Sequence, residues 1–241
     1  MSADWRQNPD SAALQERLEH VYWIGGGSGA GKSTIARRIA AERGLRVYAT
    51  DDVMADHARR STPEDSPLLN RFMAMDMDER WVHRSPTTMV ETFHWFQGEG
   101  FNMIIEDLLR LPRESGVIVE GFRLLPRLVK PLVRVSGHAV WLLPTPELRQ
   151  AVVESRGGSA WRFLGKTTDP DKALRHLLER DRMFTNILRD ETQRLNMRAV
   201  EVDASLTEGS RSAGGGHSGS LTRAGDDVLR HQSDRPCAAY R

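Results

Sequence analysis

Only one cysteine, Cys237, occurs in the 241 residues. No internal disulfide can form, and a reducing, cytoplasmic setting is expected. No stretch approaches the ~18 consecutive apolar residues that a membrane-spanning helix needs. The opening residues, MSADWRQNPD, lack the basic-then-apolar order of a secretory signal. A soluble protein with no membrane partner is the reading. Excess charge is also missing: the formal net charge is +1, which leaves no electrostatic footprint for nucleic acid. Lysine is scarce beside arginine, a bias that suits phosphate recognition but equally reflects genome composition. No internal repeat is present, and His83 and His94 show no metal-site spacing.

What is present is an alternation of short apolar runs with helical patterns. The runs are Val21–Ile24, Leu45–Ala49, Gly116–Val119, His138–Leu143 and Arg198–Val202. Near-continuous apolar runs indicate strands covered on both faces, so an α/β fold with a mostly parallel five-stranded sheet is expected. Residues 11–20 read as a short helix in an N-terminal extension (1–20). Lys32 to Arg43 reads as a helix burying Ile35, Ala36, Ile39 and Ala40 and stopping at Gly44. Ser85-Pro86 starts a helix carrying Met89, Phe93 and Phe96 on one face. Thr145-Pro146 and Asp169-Pro170 are caps followed by first-turn prolines, the second opening a long helix that reaches about Leu195.

Between the first strand and its helix stands Gly26-Gly27-Ser28-Gly29-Ala30-Gly31-Lys32-Ser33-Thr34, a full match to G-x-x-x-x-G-K-[ST]. The glycines let backbone N–H groups turn toward one point and wrap phosphates. The following helix aims its positive end there. Lys32 reaches the β- and γ-phosphates, and the Ser33 hydroxyl is placed to bind Mg²⁺. The bland alternative, a flexible glycine turn, lacks the strand before and amphipathic helix after that this match possesses.

The second strand ends in Asp51-Asp52 and the third in Glu120-Gly121. Ligands of parallel sheets sit beyond the C-terminal strand ends. A carboxylate there can take a proton from an attacking hydroxyl or hold magnesium through water. Asp51 is the preferred base over Asp52, with helix capping as the alternative role for either. Asp51 and Glu120 join Ser33 as the metal candidates, and pairing with an arginine is Glu120's alternative.

The order of this loop, a strand ending in TDD, a helical insert, a strand ending in EGFRLLP and an Arg-rich segment resembles the small-molecule P-loop kinases. The group is that of chloramphenicol phosphotransferase, zeta toxins and 2-phosphoglycerate kinase, and the likeness covers about residues 21–203. The resemblance implies a three-layer α/β/α sandwich (domain 21–208), ATP and Mg²⁺ as cofactors, and transfer of the γ-phosphoryl group to a small-molecule acceptor. It makes Asp51 the activating acid, Lys32 and Ser33 the ATP·Mg²⁺ ligands and residues 155–185 an arginine-bearing lid. Arg156, Arg162, Lys166, Arg180 and Arg182 are the lid candidates, with Arg156 and Arg182 put forward as catalytic. Only one of Arg180 and Arg182 is expected to face the site, because neighbours on a helix point apart. In such kinases the loop after the fifth strand packs on adenine; here residues 209–241 turn Gly/Ser-rich, a composition expected to stay disordered or to result from a reading-frame change.

Residues 53–115 form the insert where such kinases build their acceptor site. Its methionines and Trp81, Phe93, Trp95 and Phe96 read as helix core ahead of a pocket lining. His57, Arg59 and Arg60 read as exposed charges ahead of an anion site. Three other functions stay open: an ATPase or GTPase switch, disfavoured by the missing N-K-x-D motif, a non-catalytic nucleotide-binding module, and a polynucleotide kinase.

Overall fold

A computed structural model describes residues 11–204. Five strands, β1 (Val21–Gly26), β2 (Arg46–Ala49), β3 (Val117–Glu120), β4 (Ala139–Pro144) and β5 (Ala199–Val202), form one sheet in the order β2-β3-β1-β4-β5. Every pairing is parallel, so the sheet is wholly rather than mostly parallel. Helices cover both faces, giving a three-layer α/β/α sandwich of the P-loop type. Each strand starts within a residue of its sequence expectation. The central ones are apolar because both faces are covered: Val117, Ile118, Val119 and Trp141 are fully buried.

The chain reverses its strand order between β3–β1 and β1–β4, and the crevice at this switch point is where such sheets bind ligands. Helix α1 (Ser11–Arg17) leads into β1, and α2 (Lys32–Arg43) follows it, ending at Gly44 in the left-handed conformation. Its buried stripe is narrower than the periodicity suggests. Lys32, Ala36 and Ala40 are buried, whereas Ile35 and Ile39 are exposed. The 4-residue spacing of small alanines lets the helix lie close on the sheet and turns the isoleucines to its flank.

The insert between β2 and β3 holds α3 (Met54–Arg60), α4 (Pro67–Ala74), a π turn (Glu79–His83), α5 (Pro86–Thr92), α6 (His94–Gln97) and α7 (Phe101–Arg110). The single helix expected through Phe96 is broken at Phe93, whose backbone is extended. The break has a purpose in packing. Phe93, His94, Trp95 and Phe96 are all buried, and four consecutive residues of a straight helix would sweep most of the way round its axis. Met54, Met89 and Met103 are core residues, as are the four aromatic side chains named above. Met73 alone of the insert's methionines is exposed.

Beyond β3, α8 (Pro126–Val129) leads toward β4, and α9 (Pro146–Glu154) and α10 (Pro170–Arg194) complete the cover. Both expected caps are made: the Thr145 hydroxyl accepts from Leu148 N–H and the Asp169 carboxylate from Lys172 N–H. The segment 155–185 expected to form a lid holds two short 3₁₀ turns, Gly158–Ala160 and Leu164–Lys166, followed by the first part of α10. Phe163 from it packs on Trp81 with ring centroids 4.6 Å apart, so this segment is in contact with the insert. The tail expectation for residues 209–241 lies outside the described residues.

Candidate functional site

The loop after β1 turns through Gly29 (φ 85°) and Gly31 (φ 77°), backbone angles that favour glycine. Gly31 is the N-cap of α2, so the helix's first N–H groups face the loop. Lys32 arches back, its ammonium donating to the Gly27 carbonyl at 2.7 Å. Burial pushes the Lys32 pKa down, while the Asp51 and Glu120 carboxylates pull it back up. The Ser33 hydroxyl donates to Glu120 Oε1 at 2.8 Å. Burial raises the Glu120 carboxyl, opposed by the Ser33 hydrogen bond and the Lys32 charge. Ser28 is half-buried, Ala30 buried and Thr34 exposed.

Asp51 follows Thr50, whose N–H extends the β2–β3 ladder by donating to Glu120 O at 2.9 Å. Asp51 as a whole keeps solvent-accessible surface, although protein crowds its carboxylate. That crowding lifts its pKa above the usual carboxylate range, and the Lys32 and Arg123 cations oppose the lift. A carboxylate beyond the C-terminal end of β2, under the charges of Lys32 and Arg123, is suited to accept a proton. Asp52 is exposed beside it.

Three residues that the motifs do not announce complete the site. Asp181 in α10 accepts from Arg149 Nε at 2.8 Å through Oδ2 and from Arg180 Nη2 at 2.6 Å through Oδ1. Burial alone would raise the Asp181 carboxyl, but the two guanidinium groups hold it below its ordinary value. Two cations therefore share one anion, and Arg149 Nη1 and Arg180 Nη1 are buried with no hydrogen-bond partner. Arg149 also borders the glycine loop, since a Cβ on Gly29 would meet its Cδ at 3.4 Å. The third residue, Arg123, donates to Thr50 O at 3.4 Å, Gly100 O at 3.2 Å and His57 Nδ1 at 3.0 Å. A guanidinium only donates, so His57 Nδ1 accepts and its proton sits on Nε2. From there it is donated to Asp107 at 2.9 Å, where Tyr48 OH also donates at 2.7 Å. His57 is thus a buried structural imidazole rather than the exposed charge expected, its pKa lowered by burial. Arg59 and Arg60 are surface partners of Asp56.

The lid candidates separate. Arg180 is buried against the insert, 5.1 Å over Trp81 and 5.1 Å over Phe93. Arg182 is exposed and held by Glu179 at 2.6 Å. It lines a groove of ≈ 390 Å³ between the β4–α9 turn and α10, together with Pro144, Thr145, Arg149, Thr185 and Asn186. This groove adjoins the glycine loop, because a Cβ on Gly27 would strike Pro144 and Thr185. Arg156 is exposed at the end of α9 with its guanidinium 5.4 Å over Trp161. Crowding lowers its pKa, with Arg149 and Arg162 repelling its charge and Asp51 favouring it. Arg162 and Lys166 are exposed.

Two sequence patterns coincide with missed residues: an aspartate between two arginines inside a helix, and an arginine two places after the glycine that follows β3. Neither pattern is specific without the fold. Among the described residues, no group of three or more His, Cys, Asp or Glu side chains is arranged to hold a metal alone. Compared with known proteins, the chain matches no protein-family model, and no curated protein sequence matches it.

Proposed function

We propose that the chain is an ATP- and Mg²⁺-dependent phosphotransferase that moves the γ-phosphoryl group to a hydroxyl or phosphate of a small acceptor. The observation that carries this reading is the meeting of Lys32, Ser33, Glu120 and Asp51, from the ends of three neighbouring strands, at the mouth of one glycine loop. The loop's positive-φ glycines and the α2 N-terminus suit polyphosphate. The groove beside Gly27 suits the nucleoside portion, with Arg182 on its rim. The donor set also suits magnesium, because a serine hydroxyl and a carboxylate 2.8 Å apart are hard oxygen ligands. Magnesium would supply charge neutralisation to the phosphates; Ser33 would hold it, with Glu120 and Asp51 ordering its waters.

In this reading Asp51 takes the proton of the acceptor hydroxyl. Lys32 and the unsatisfied Nη1 donors of Arg149 and Arg180 hold the charge that develops on the transferred group. Arg156, whose charge Asp51 favours, would add to the positive charge facing the transferred group, and the segment packed on Trp81 would exclude water that competes as acceptor.

The direct test is ATP consumption by the full chain with Mg²⁺, screened against pools of nucleosides, phosphorylated metabolites, sugars and antibiotics, with Lys32→Ala as control. Acceptor-dependent ADP release that disappears in the control is expected. ATP bound without acceptor-dependent turnover in any pool would point instead to a switch or a non-catalytic module.

A further inference from the structure

The end of β2 that leads to Asp51 is held by a chain of hydrogen bonds that begins and finishes on that strand. Tyr48 of β2 donates its hydroxyl to Asp107 of α7 at 2.7 Å, and His57 of α3 donates Nε2–H to the same carboxylate at 2.9 Å. On its other ring nitrogen His57 accepts from Arg123 Nη2 at 3.0 Å. Arg123, in the turn between β3 and α8, returns to β2 by donating to Thr50 O at 3.4 Å. Thr50 is fully buried, and the next peptide bond leads to Asp51. The guanidinium is pinned on two further sides. Nη2 donates to Gly100 O at 3.2 Å, and Cζ lies 4.0 Å from the Trp95 ring centroid. Gly100 leaves the room for it, since a Cβ there would stand 3.1 Å from Nη2.

Arg123 is 2% exposed, so it offers no surface to a ligand in the cleft. A buried cation is costly unless opposite charge stands near it. Burial lowers the Arg123 pKa to about 10 against the pull of Tyr48, Asp51 and Asp107, and the side chain is charged at neutral pH. Asp107 is already divided: it accepts from Tyr48 and His57 and pairs with Arg60 and Arg110 at 3.5 Å. Asp51 is the other carboxylate that the Arg123 charge reaches. The charged groups around Asp51 are Lys32, Glu120, Asp52, Arg123 and Arg156, with the Thr50 side chain beside it. Of the three cations, Arg156 is exposed, and Lys32 bonds the glycine loop, where a phosphate would claim it. Arg123 alone is fixed in a place that no ligand reaches.

We propose that Arg123 is a positioning residue for Asp51: it anchors the Thr50 turn and, held by His57 and Asp107, supplies the permanent counter-charge of that carboxylate. When Lys32 turns to a polyphosphate, Arg123 keeps its place and Asp51 keeps a cation beside it. A carboxylate so accompanied stays ionised, as proton acceptance requires. The role in turnover rests on the phosphotransferase reading; the tie between Arg123 and Asp51 does not.

The experiment is carboxylate-carbon NMR of the full chain, carrying isotope-labelled aspartate and titrated with acid, with Asp51→Asn to assign the resonance. Arg123→Met should raise the Asp51 midpoint by about one pH unit or more, and Arg123→Lys should reverse most of the rise. A merely structural role would leave the midpoint in place. Turnover should separate from affinity: below both midpoints kcat falls about 10-fold or more, it recovers as pH rises, and KM for ATP stays near wild type. An unmoved midpoint in Arg123→Met, or a kcat loss equal at every pH, would overturn the proposal. Should Arg123→Met not fold, His57→Leu decides. Freeing the guanidinium from that anchor should raise the same midpoint, and an unmoved one would overturn the proposal. A moved midpoint in a chain that turns over no acceptor would uphold the tie and strike the phosphotransferase reading alone.

Discussion

Replacing Asp51 with asparagine keeps the side chain's size but removes its basicity. Turnover should fall by roughly 10² to 10⁴ with ATP affinity nearly unchanged; steady-state kinetics beside a nucleotide titration checks both. The pH profile gives a second reading of the same residue. Crowding raises the Asp51 pKa, and only the ionised form accepts a proton. Activity should therefore decline as pH falls through a value above the usual carboxylate range, and undiminished turnover in Asp51→Asn would remove this residue from the mechanism. Asp181 makes a contrasting case. Asp181→Asn leaves the Arg149 and Arg180 guanidiniums buried with no counter-charge, a loss of ~3–5 kcal/mol by analogy with other broken buried pairs. A shift of the denaturation midpoint by urea measures it. Because the folded pKa of Asp181 is lowered, this stability is whole above the unfolded carboxylate pKa and fades as pH falls through the folded one.

Among the elements, α10 links the halves of the site. Its capping residue Asp169 accepts from Lys172 N–H at 2.9 Å, and Asp181 and Arg180 hang from the middle of the same helix. Asp169→Ala should cost ~0.5–2 kcal/mol of stability, seen in thermal melts, with little change in nucleotide binding because the glycine loop is anchored elsewhere. Helix caps, the α2 boundaries and the five strands were legible in the sequence, since each depends on a local signal such as Gly44, Thr145-Pro146 or a short apolar run. The break at Phe93 was not. Its driving force is the burial of four successive side chains against partners distant in sequence, such as Phe72 and Phe184. The exposure of Ile35 and Ile39 escaped for a similar reason, because the closeness of α2 to the sheet is a tertiary property.

Over the whole molecule, buried and half-buried histidines add to the response to acid. Burial, with help from four arginines, holds the His94 pKa down to about 3 from an ordinary 6.5, and those of His57, His20 and His176 are also lowered. The unfolded chain then binds protons that the folded one refuses, so stability rises with pH in this window and is lost as pH falls from 6.5 toward 3. His94→Phe should flatten that slope by up to ~1.4 kcal/mol per pH unit, read from urea unfolding at several pH values. The sequence by itself determined the α/β class, the glycine loop and the acids at the strand ends, because these follow from short contiguous patterns. Only the tertiary structure decided that Arg180 rather than Arg182 turns inward, that His57 serves Arg123, and that Asp181 binds two arginines. Those facts depend on which side chains meet across the crevice, where burial makes each missing partner costly, and no local pattern carries that information.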